Sequence, residues 1–153
     1  MLSLEQITSQ NFERVICMNP NSDHMTPNVY SIAEFSTMDH NKAFMNAICL
    51  DNIPIGFTMV DCEDNKLKIK RFMIDKEYQG RKLGSWAMNI LLKKAFDTFQ
   101  TYDRIYVVTR NIFAKKFYKK FMFSVYDHKH LDKEINEYSL VLHKSTWLMN
   151  CVD

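Results

Sequence analysis

Residues that break regular structure are scarce in this chain, with only 3 glycines and 3 prolines among 153 residues. Long flexible linkers are usually rich in such residues, so few linkers are expected. The hydrophobic content of 46% and the aromatic content of 13% are typical of a folded globule and argue against a disordered chain. We therefore predict that residues 1–153 form a single domain with a substantial core.

Cysteine pairs and metal-ligand clusters are also missing from the sequence. The 4 cysteines lie far apart, with no Cys-x-x-Cys pair and no ligand-like grouping with histidine. This pattern argues against a disulfide framework and against a zinc site. We predict that no metal is bound and that four reduced thiols are present: Cys17, Cys49, Cys62 and Cys151.

The sequence has neither a strong charge bias nor a long apolar run. Its formal net charge is +2 at pH 7, which gives no indication of bulk nucleic-acid binding. The sequence contains no signal-peptide pattern and no apolar run long enough to cross a bilayer. These features predict a cytoplasmic protein that binds neither nucleic acid nor a membrane.

Hydrophobic periodicity predicts a mixed α/β fold with a sheet of about seven strands and four helices. Short alternating or continuous apolar runs predict strands over residues 2–7, 44–50, 53–61, 67–75, 105–108, 123–127 and 135–143. Amphipathic patterns predict helices over residues 8–18, 27–39, 83–97 and 111–121. Gly56 within a strand predicts a bulge or a close backbone approach. A loop is expected over residues 19–23, and no structure is assigned to residues 144–153.

The chain is organised around a strand, a glycine-bearing turn and a helix between residues 67 and 97. The turn at residues 79–84 reads Gln-Gly-Arg-Lys-Leu-Gly. The first backbone N–H groups of a helix lack internal partners and carry partial positive charge, so such a turn suits an anion. Arg81 and Lys82 add full charges that fit a phosphate. An ordinary strand-to-helix turn with two solvated cations would show the same pattern.

Residues 79–84 resemble the acetyl-CoA pyrophosphate loop of the GNAT acetyltransferase superfamily. That loop reads Gln or Arg, two residues, Gly, one residue, then Gly or Ala, and Lys82 stands here at the middle glycine. The order of elements over residues 2–143 also resembles the GNAT acyl-CoA N-acyltransferase fold, in which two middle strands splay apart. The resemblance implies acetyl-CoA as cosubstrate and these cofactor-binding residues: Phe72, Met73, Ile74, Gln79, Gly80, Arg81, Lys82, Leu83, Gly84, Ser85 and Asn111.

Residues 111–123 resemble the second signature of the same family, which reads Asn, two or more residues, Ala, Phe-Tyr and a Leu-Gly-Phe ending. Asn111, Phe117 and Tyr118 match, whereas Met122 replaces the usual glycine. The resemblance implies that Tyr118 is catalytic, because a phenol near the sulfur can donate a proton as the thiolate leaves. A core aromatic among neighbouring phenylalanines is the alternative reading of the same spacing.

The acceptor is indicated only by resemblance. Residues 27–34 and 71–75 look like segments of bacterial GNAT enzymes that acetylate spermine and spermidine, which implies a small-molecule polyamine acceptor bound by Glu34 and Tyr30. A protein amine and a non-catalytic CoA-binding module remain alternatives, and a homodimer is expected from the family. The base is open, since the central strand carries Lys70 where some relatives have Glu; Asp61 and Glu63 are the nearby acids.

Overall fold

A computed structural model describes residues 1–20 and 26–151, and the predicted loop at residues 19–23 therefore falls partly outside the described residues. Within them the strands are β1 (Leu2–Glu5), β2 (Ala43–Leu50), β3 (Ile53–Glu63), β4 (Lys66–Ile74), β5 (Arg104–Thr109), β6 (Ser124–His130) and β7 (Asn136–His143). The helices are α1 (Phe12–Ile16), α2 (Asn28–Phe35), α3 (Leu83–Thr98), α4 (Ile112–Lys120) and α5 (Lys144–Asn150).

The seven strands form one mixed sheet in the order β1-β2-β3-β4-β5-β7-β6. Neighbouring strands are antiparallel except for β4 and β5, which run parallel and are joined by α3. This arrangement confirms the predicted mixed α/β fold and the number of strands. Strand β7 lies between β5 and β6, so the C-terminal pair extends the sheet beyond β5.

Helices cover both faces of the sheet. Helices α3 and α4 pack over one face, where Leu91 and Phe96 are fully buried with residues from β4, β5 and β7. Helices α1 and α2 cover the other face, where Val15 packs with Phe57 and Met73. The end of β4 is therefore apolar on both sides, as its sequence predicts.

A close approach between β3 and β4 requires Gly56. A Cβ atom at this position would lie 2.4 Å from the backbone oxygen of Met73. The register of β2 against β3 also shifts between Ile48 and Cys49, opposite Gly56. Both features predicted for Gly56 are thus confirmed, the bulge and the close backbone approach.

The prediction of four helices is wrong, because the described residues contain a fifth, α5. This helix has seven residues, and the ring of Trp147 packs 5.6 Å from that of Phe96 on α3. It is too short to show a clear helical period in the sequence. Helices α1 and α2 are also shorter than predicted, since Asn11 rather than Thr8 precedes α1 and Pro27 rather than Thr26 precedes α2. Among the described residues no helix has the length and apolarity to cross a membrane.

Candidate functional site

The two middle strands of the sheet separate after a short paired segment. Strand β4 pairs with β5 at three positions, and the last pair is Ile69 with Val107. Lys70 is an extra residue in β4, because Val60 pairs with Ile69 while Met59 pairs with Arg71. A bulge bends a strand and redirects its side chains. The last residues of β4 therefore leave the ladder with β5 and border an opening in the sheet.

The turn after β4 is tied back to the end of that strand. Gln79 donates hydrogen bonds from Nε2 to the backbone oxygens of Ile74 at 2.8 Å and Pro20 at 3.0 Å. Gly80 has a φ of +77° and Lys82 has a φ of +60°, so both adopt the left-handed region. Lys82 immediately precedes α3, which has 16 residues. The turn thus leads directly to the free N–H groups and the positive end of a long helix.

A cleft of about 600 Å³ lies between this turn, the free end of β4 and α4; we call it the loop cleft. Its size falls within the usual range of about 300–1,000 Å³ for small-molecule sites. Arg81 and Leu83 do not line it: Leu83 is buried, and Arg81 lies over the ring of Tyr78. The remaining sequence-predicted cofactor residues do line it: Phe72, Met73, Ile74, Gln79, Gly80, Lys82, Gly84, Ser85 and Asn111.

A second cleft, of about 370 Å³, occupies the opening between β4 and β5; we call it the strand cleft. The two clefts are contiguous, because they share Phe72, Asn111, Ala114 and Tyr118. The other residues that line the strand cleft are Thr26, Ile69, Lys70, Arg71, Val107, Val108, Thr109, Arg110 and Glu137.

Tyr118 lies where the two clefts meet. Its side chain is 6% exposed, and its ring makes edge contacts with Phe117 at 5.6 Å and Phe123 at 5.4 Å. Burial raises the pKa of the Tyr118 phenol well above its ordinary value. A phenol is protonated at neutral pH even at its ordinary pKa, so Tyr118 borders both clefts as a proton or hydrogen-bond donor.

Asn111 positions Tyr118 by capping α4. Its Oδ1 accepts hydrogen bonds from the backbone N–H groups of Phe113 at 2.8 Å and Ala114 at 3.1 Å. Such a cap stabilises the first turn of a helix. The cap predicted from sequence is confirmed, and it fixes the part of α4 that borders both clefts.

An ion-pair network stands beside the bulge. Lys70 Nζ lies 2.8 Å from Glu34 Oε1 and 3.4 Å from Asp61 Oδ2. Arg71 donates from Nε to Ser31 Oγ at 2.8 Å, and its Nη2 is 3.8 Å from Glu34 Oε2. The network links α2 to β3 and β4 on one side of the strand cleft.

Asp61 is the most buried acid in this network, with 2% exposure. Burial raises the pKa of its carboxyl group, an effect that Lys70 opposes. Its Oδ1 is buried without a hydrogen-bond partner among the described residues. The carboxylate is therefore satisfied on one oxygen only, so ionising it costs more than it would in water.

The structure does not bring the predicted acceptor residues into either cleft. Glu34 is paired with Lys70, and Tyr30 is 67% exposed on α2. Asp61 and Glu63 also line neither cleft, and Glu63 pairs with Lys68 at 3.2 Å.

Several lining residues were missed by sequence reasoning. Arg110 directly precedes Asn111, the first residue of the second signature. This position next to a predicted site residue could have identified Arg110 as a lining residue. Glu137 gave no signal, because its position depends on β7 lying beside β5. Phe113 and Lys120 also line the loop cleft from α4, and no role was assigned to either from the sequence.

Comparisons with known proteins agree with this geometry. The family model described as Acetyltransferase (GNAT) family matches residues 3–123. No curated protein matches the sequence significantly. Among solved structures, the ribosomal-protein-S18-alanine N-acetyltransferase of Escherichia coli is 13% identical, with a TM-score of 0.72 and 94% of each chain covered.

Two further solved structures share the fold. Mutant forms of the spermidine/spermine N-acetyltransferase from Vibrio cholerae are 15% identical, with a TM-score of 0.74, and the match covers 99% of this chain and 100% of that one. A putative streptothricin acetyltransferase from Bacillus anthracis, in complex with acetyl coenzyme A, is 16% identical with a TM-score of 0.71; the match covers 94% of this chain and 97% of that one. At these identities the likeness concerns the fold alone.

Proposed function

Because this chain belongs to the acetyltransferase (GNAT) family, it is an acetyl-CoA-dependent acetyltransferase, and we propose that it transfers acetyl directly to a primary amine. The observation that carries this proposal is the contiguity of the two clefts at Phe72 and Tyr118. A donor in one cleft and an acceptor in the other would meet at these residues. The four cysteines are all described, and none lines either cleft, which favours direct transfer over a cysteine-linked acyl-enzyme.

The loop cleft is the proposed site of acetyl-CoA. When bound, acetyl-CoA supplies a thioester carbonyl for attack and a thiolate as leaving group. The left-handed turn at Gly80 and Lys82 and the N-terminus of α3 suit the pyrophosphate. The free edge of β4 over residues 72–74 suits a pantetheine arm that adds to it like a strand. A backbone N–H on this edge can donate to the thioester oxygen and stabilise the negative charge that develops there.

Tyr118 is the proposed general acid. The phenol carries its proton at neutral pH, and its position beside both clefts suits donation to the departing sulfur. The attacking amine must also lose a proton. Glu137 is the sole carboxylate among the described lining residues of the strand cleft, so we assign it this step.

The test is mass-spectrometric detection of acetylated amine after incubation of purified protein with acetyl-CoA and an amine panel. We expect Tyr118→Phe and Glu137→Gln each to lower kcat by about 10²–10⁴-fold, the usual worth of acid–base catalysis. Acetyl-CoA affinity, measured by calorimetry, is expected to stay unchanged in both variants. Bound acetyl-CoA without any acetylated amine, or full kcat in both variants, would contradict the proposal.

For the acceptor, the sequence supports a more specific proposal than a primary amine, namely a polyamine. It rests on the resemblance of residues 27–34 and 71–75 to polyamine acetyltransferases and on Glu34 as an anchor for an ammonium group. The pairing of Glu34 with Lys70 and the 67% exposure of Tyr30 weaken that support. Spermidine and spermine therefore belong in the panel, together with a lysine peptide for the protein-amine alternative.

Assembly and location complete the proposal. A homodimer is expected from the family, and the exposed apolar side chains Trp86, Leu148 and Met149 are available for contacts between copies. A cytoplasmic location fits four cysteines that are all unpaired. Light scattering at several protein concentrations tests the homodimer. Fractionation of cells that express a tagged chain tests the cytoplasmic location. A concentration-independent monomer would remove the dimer from the proposal, and recovery of the tagged chain outside the cytoplasmic fraction would remove the location.

A further inference from the structure

The charged groups that line the strand cleft are mostly positive. Lys70 and Arg71 belong to the free part of β4, and Arg110 follows β5. Glu137 is the one carboxylate among the described lining residues, and its Oε2 lies 3.1 Å from Nε of Arg110. Among the described residues, the lining of the strand cleft therefore carries three cations and a single anion.

Two further carboxylates stand outside the lining, so three acids formally match the three cations, but only one of these acids lines the cleft. Glu34 and Asp61 approach Lys70 from α2 and β3, at 2.8 Å and 3.4 Å. Neither acid contributes to the surface of the strand cleft. Because these two acids lie farther from the cleft than the cations they pair with, an anionic group in the cleft would lie nearer to opposite charges than an ammonium group would.

Arg71 is held in a fixed orientation. Its Nε donates to Ser31 Oγ at 2.8 Å, and its Nη1 donates to the backbone oxygen of Lys70 at 2.7 Å. Its Nη2 is 3.8 Å from Glu34, which is too far for a hydrogen bond. The guanidinium group thus keeps N–H donors for a ligand, in the planar geometry that matches a carboxylate or a phosphate.

We propose that the acceptor amine carries an anionic group, a carboxylate or a phosphate, which binds Lys70 and Arg71 in the strand cleft. This inference rests on the proposed function, since it names the substrate class of the same site. The anionic group lies beside β4, and the amine faces Phe72 and Tyr118, which border both clefts. Polyamines carry positive charge only, so this acceptor class competes with the polyamine acceptor that the resemblance implies, and the two predict opposite orders of kcat/KM.

Matched pairs of acceptors test this inference in the wild-type protein. Lysine is cadaverine with a carboxylate added, and O-phosphoethanolamine is ethanolamine with a phosphate added. With acetyl-CoA held constant, we expect kcat/KM to be at least about tenfold higher for the anionic member of one pair, because a charged hydrogen bond is worth about that factor. The pair that shows the preference identifies the anionic group. Equal or lower kcat/KM for both anionic members, or a higher value for spermidine, would overturn the inference.

Substitutions of Lys70 and Arg71 test whether these two cations cause the preference for anionic acceptors. Arg71→Gln and Lys70→Gln are each expected to raise KM for the preferred anionic acceptor about tenfold. For the partner amine that lacks the anionic group, the same variants are expected to cause no rise in KM, because an ammonium group gains nothing from a nearby cation. Lys68→Gln is the matched control, since Lys68 lies on the same strand, pairs with Glu63 and lines neither cleft.

The outcomes separate this inference from the proposed function. Acetylation of amines without a preference for the anionic members would overturn the acceptor class and leave the acetyltransferase function standing. An equal loss for both members of a pair in both variants would also overturn it, provided that acetyl-CoA affinity shows the variants to be folded. No acetylated product from any amine, with acetyl-CoA still bound, would refute the proposed function and the acceptor class with it.

Discussion

Gln79 donates a hydrogen bond from Nε2 to the backbone oxygen of Ile74 at 2.8 Å, which ties the turn before α3 to the last residue of β4. The same nitrogen donates to the oxygen of Pro20 at 3.0 Å. We expect Gln79→Leu to raise the Kd for acetyl-CoA about tenfold, because two neutral hydrogen bonds that order the turn are worth about 1–2 kcal/mol together. Calorimetric titration with acetyl-CoA measures this change. An unchanged Kd would show that the turn is ordered without Gln79.

Gly56 is expected to be intolerant of any side chain. In Gly56→Ala the new Cβ would lie 2.4 Å from the Met73 oxygen, and we expect the free energy of unfolding to fall by about 1–3 kcal/mol. Gly84→Ala is the matched control, since its Cβ would make an ordinary 3.7 Å contact with Ile74 and Phe117. Urea unfolding of both variants measures the difference. Equal stability of the two would contradict the close approach at Gly56.

Lys82 combines a left-handed backbone with a positive charge at the loop cleft. We expect Lys82→Gly to raise the free energy of unfolding by about 0.5–1 kcal/mol, because glycine enters the left-handed region without steric cost. The same substitution removes a cation from the loop cleft, so acetyl-CoA affinity is expected to fall. Thermal unfolding and calorimetry separate the two effects. Lys82→Ala, which loses the charge and keeps the strain, is expected to lower affinity without the gain in stability.

Asp61 is expected to make stability depend on pH. The carboxyl group of an unfolded Asp has a pKa of about 4, whereas burial raises the pKa of Asp61 in the folded protein. Between these two pKa values the folded state binds more protons, so the contribution of Asp61 is present at low pH and is lost as pH rises through the folded pKa. We expect Asp61→Asn to gain stability relative to the wild type as the pH rises above about 4. Urea unfolding at several pH values checks this, and a pH-independent difference would contradict it.

Glu34 is expected to act on Lys70 rather than on an acceptor. Glu34→Gln should leave KM for spermidine within about threefold and lower the free energy of unfolding by at most about 1 kcal/mol, the usual limit for a partly exposed ion pair. Steady-state kinetics and urea unfolding measure both quantities. A tenfold rise in KM for spermidine would instead make Glu34 a direct anchor for an ammonium group.

Local patterns predicted most of the fold and half of the site. The cap at Asn111 and the turn at Gln79 are encoded in neighbouring residues, so the sequence revealed both. The network around Lys70 depends on a bulge and on the register between β3 and β4, which hydrophobic alternation does not specify. The place of Glu137 in the strand cleft depends on the pairing of β7 with β5. The sequence predicts the β6–β7 hairpin but does not specify which of its two strands pairs with β5. Sequence reasoning therefore grouped the residues of the loop cleft better than those of the strand cleft.

The loop cleft and the strand cleft share Phe72, Asn111, Ala114 and Tyr118, and the rest of their walls differ. If acetyl-CoA binds in the loop cleft and the amine in the strand cleft, as proposed, the two products leave in different directions, CoA past the turn at Gln79 and the acetylated amine past Arg110. Neither product has to wait for the other to depart. Free CoA should accordingly be a competitive inhibitor against acetyl-CoA and not against the amine, and a fresh amine can enter while CoA is still leaving.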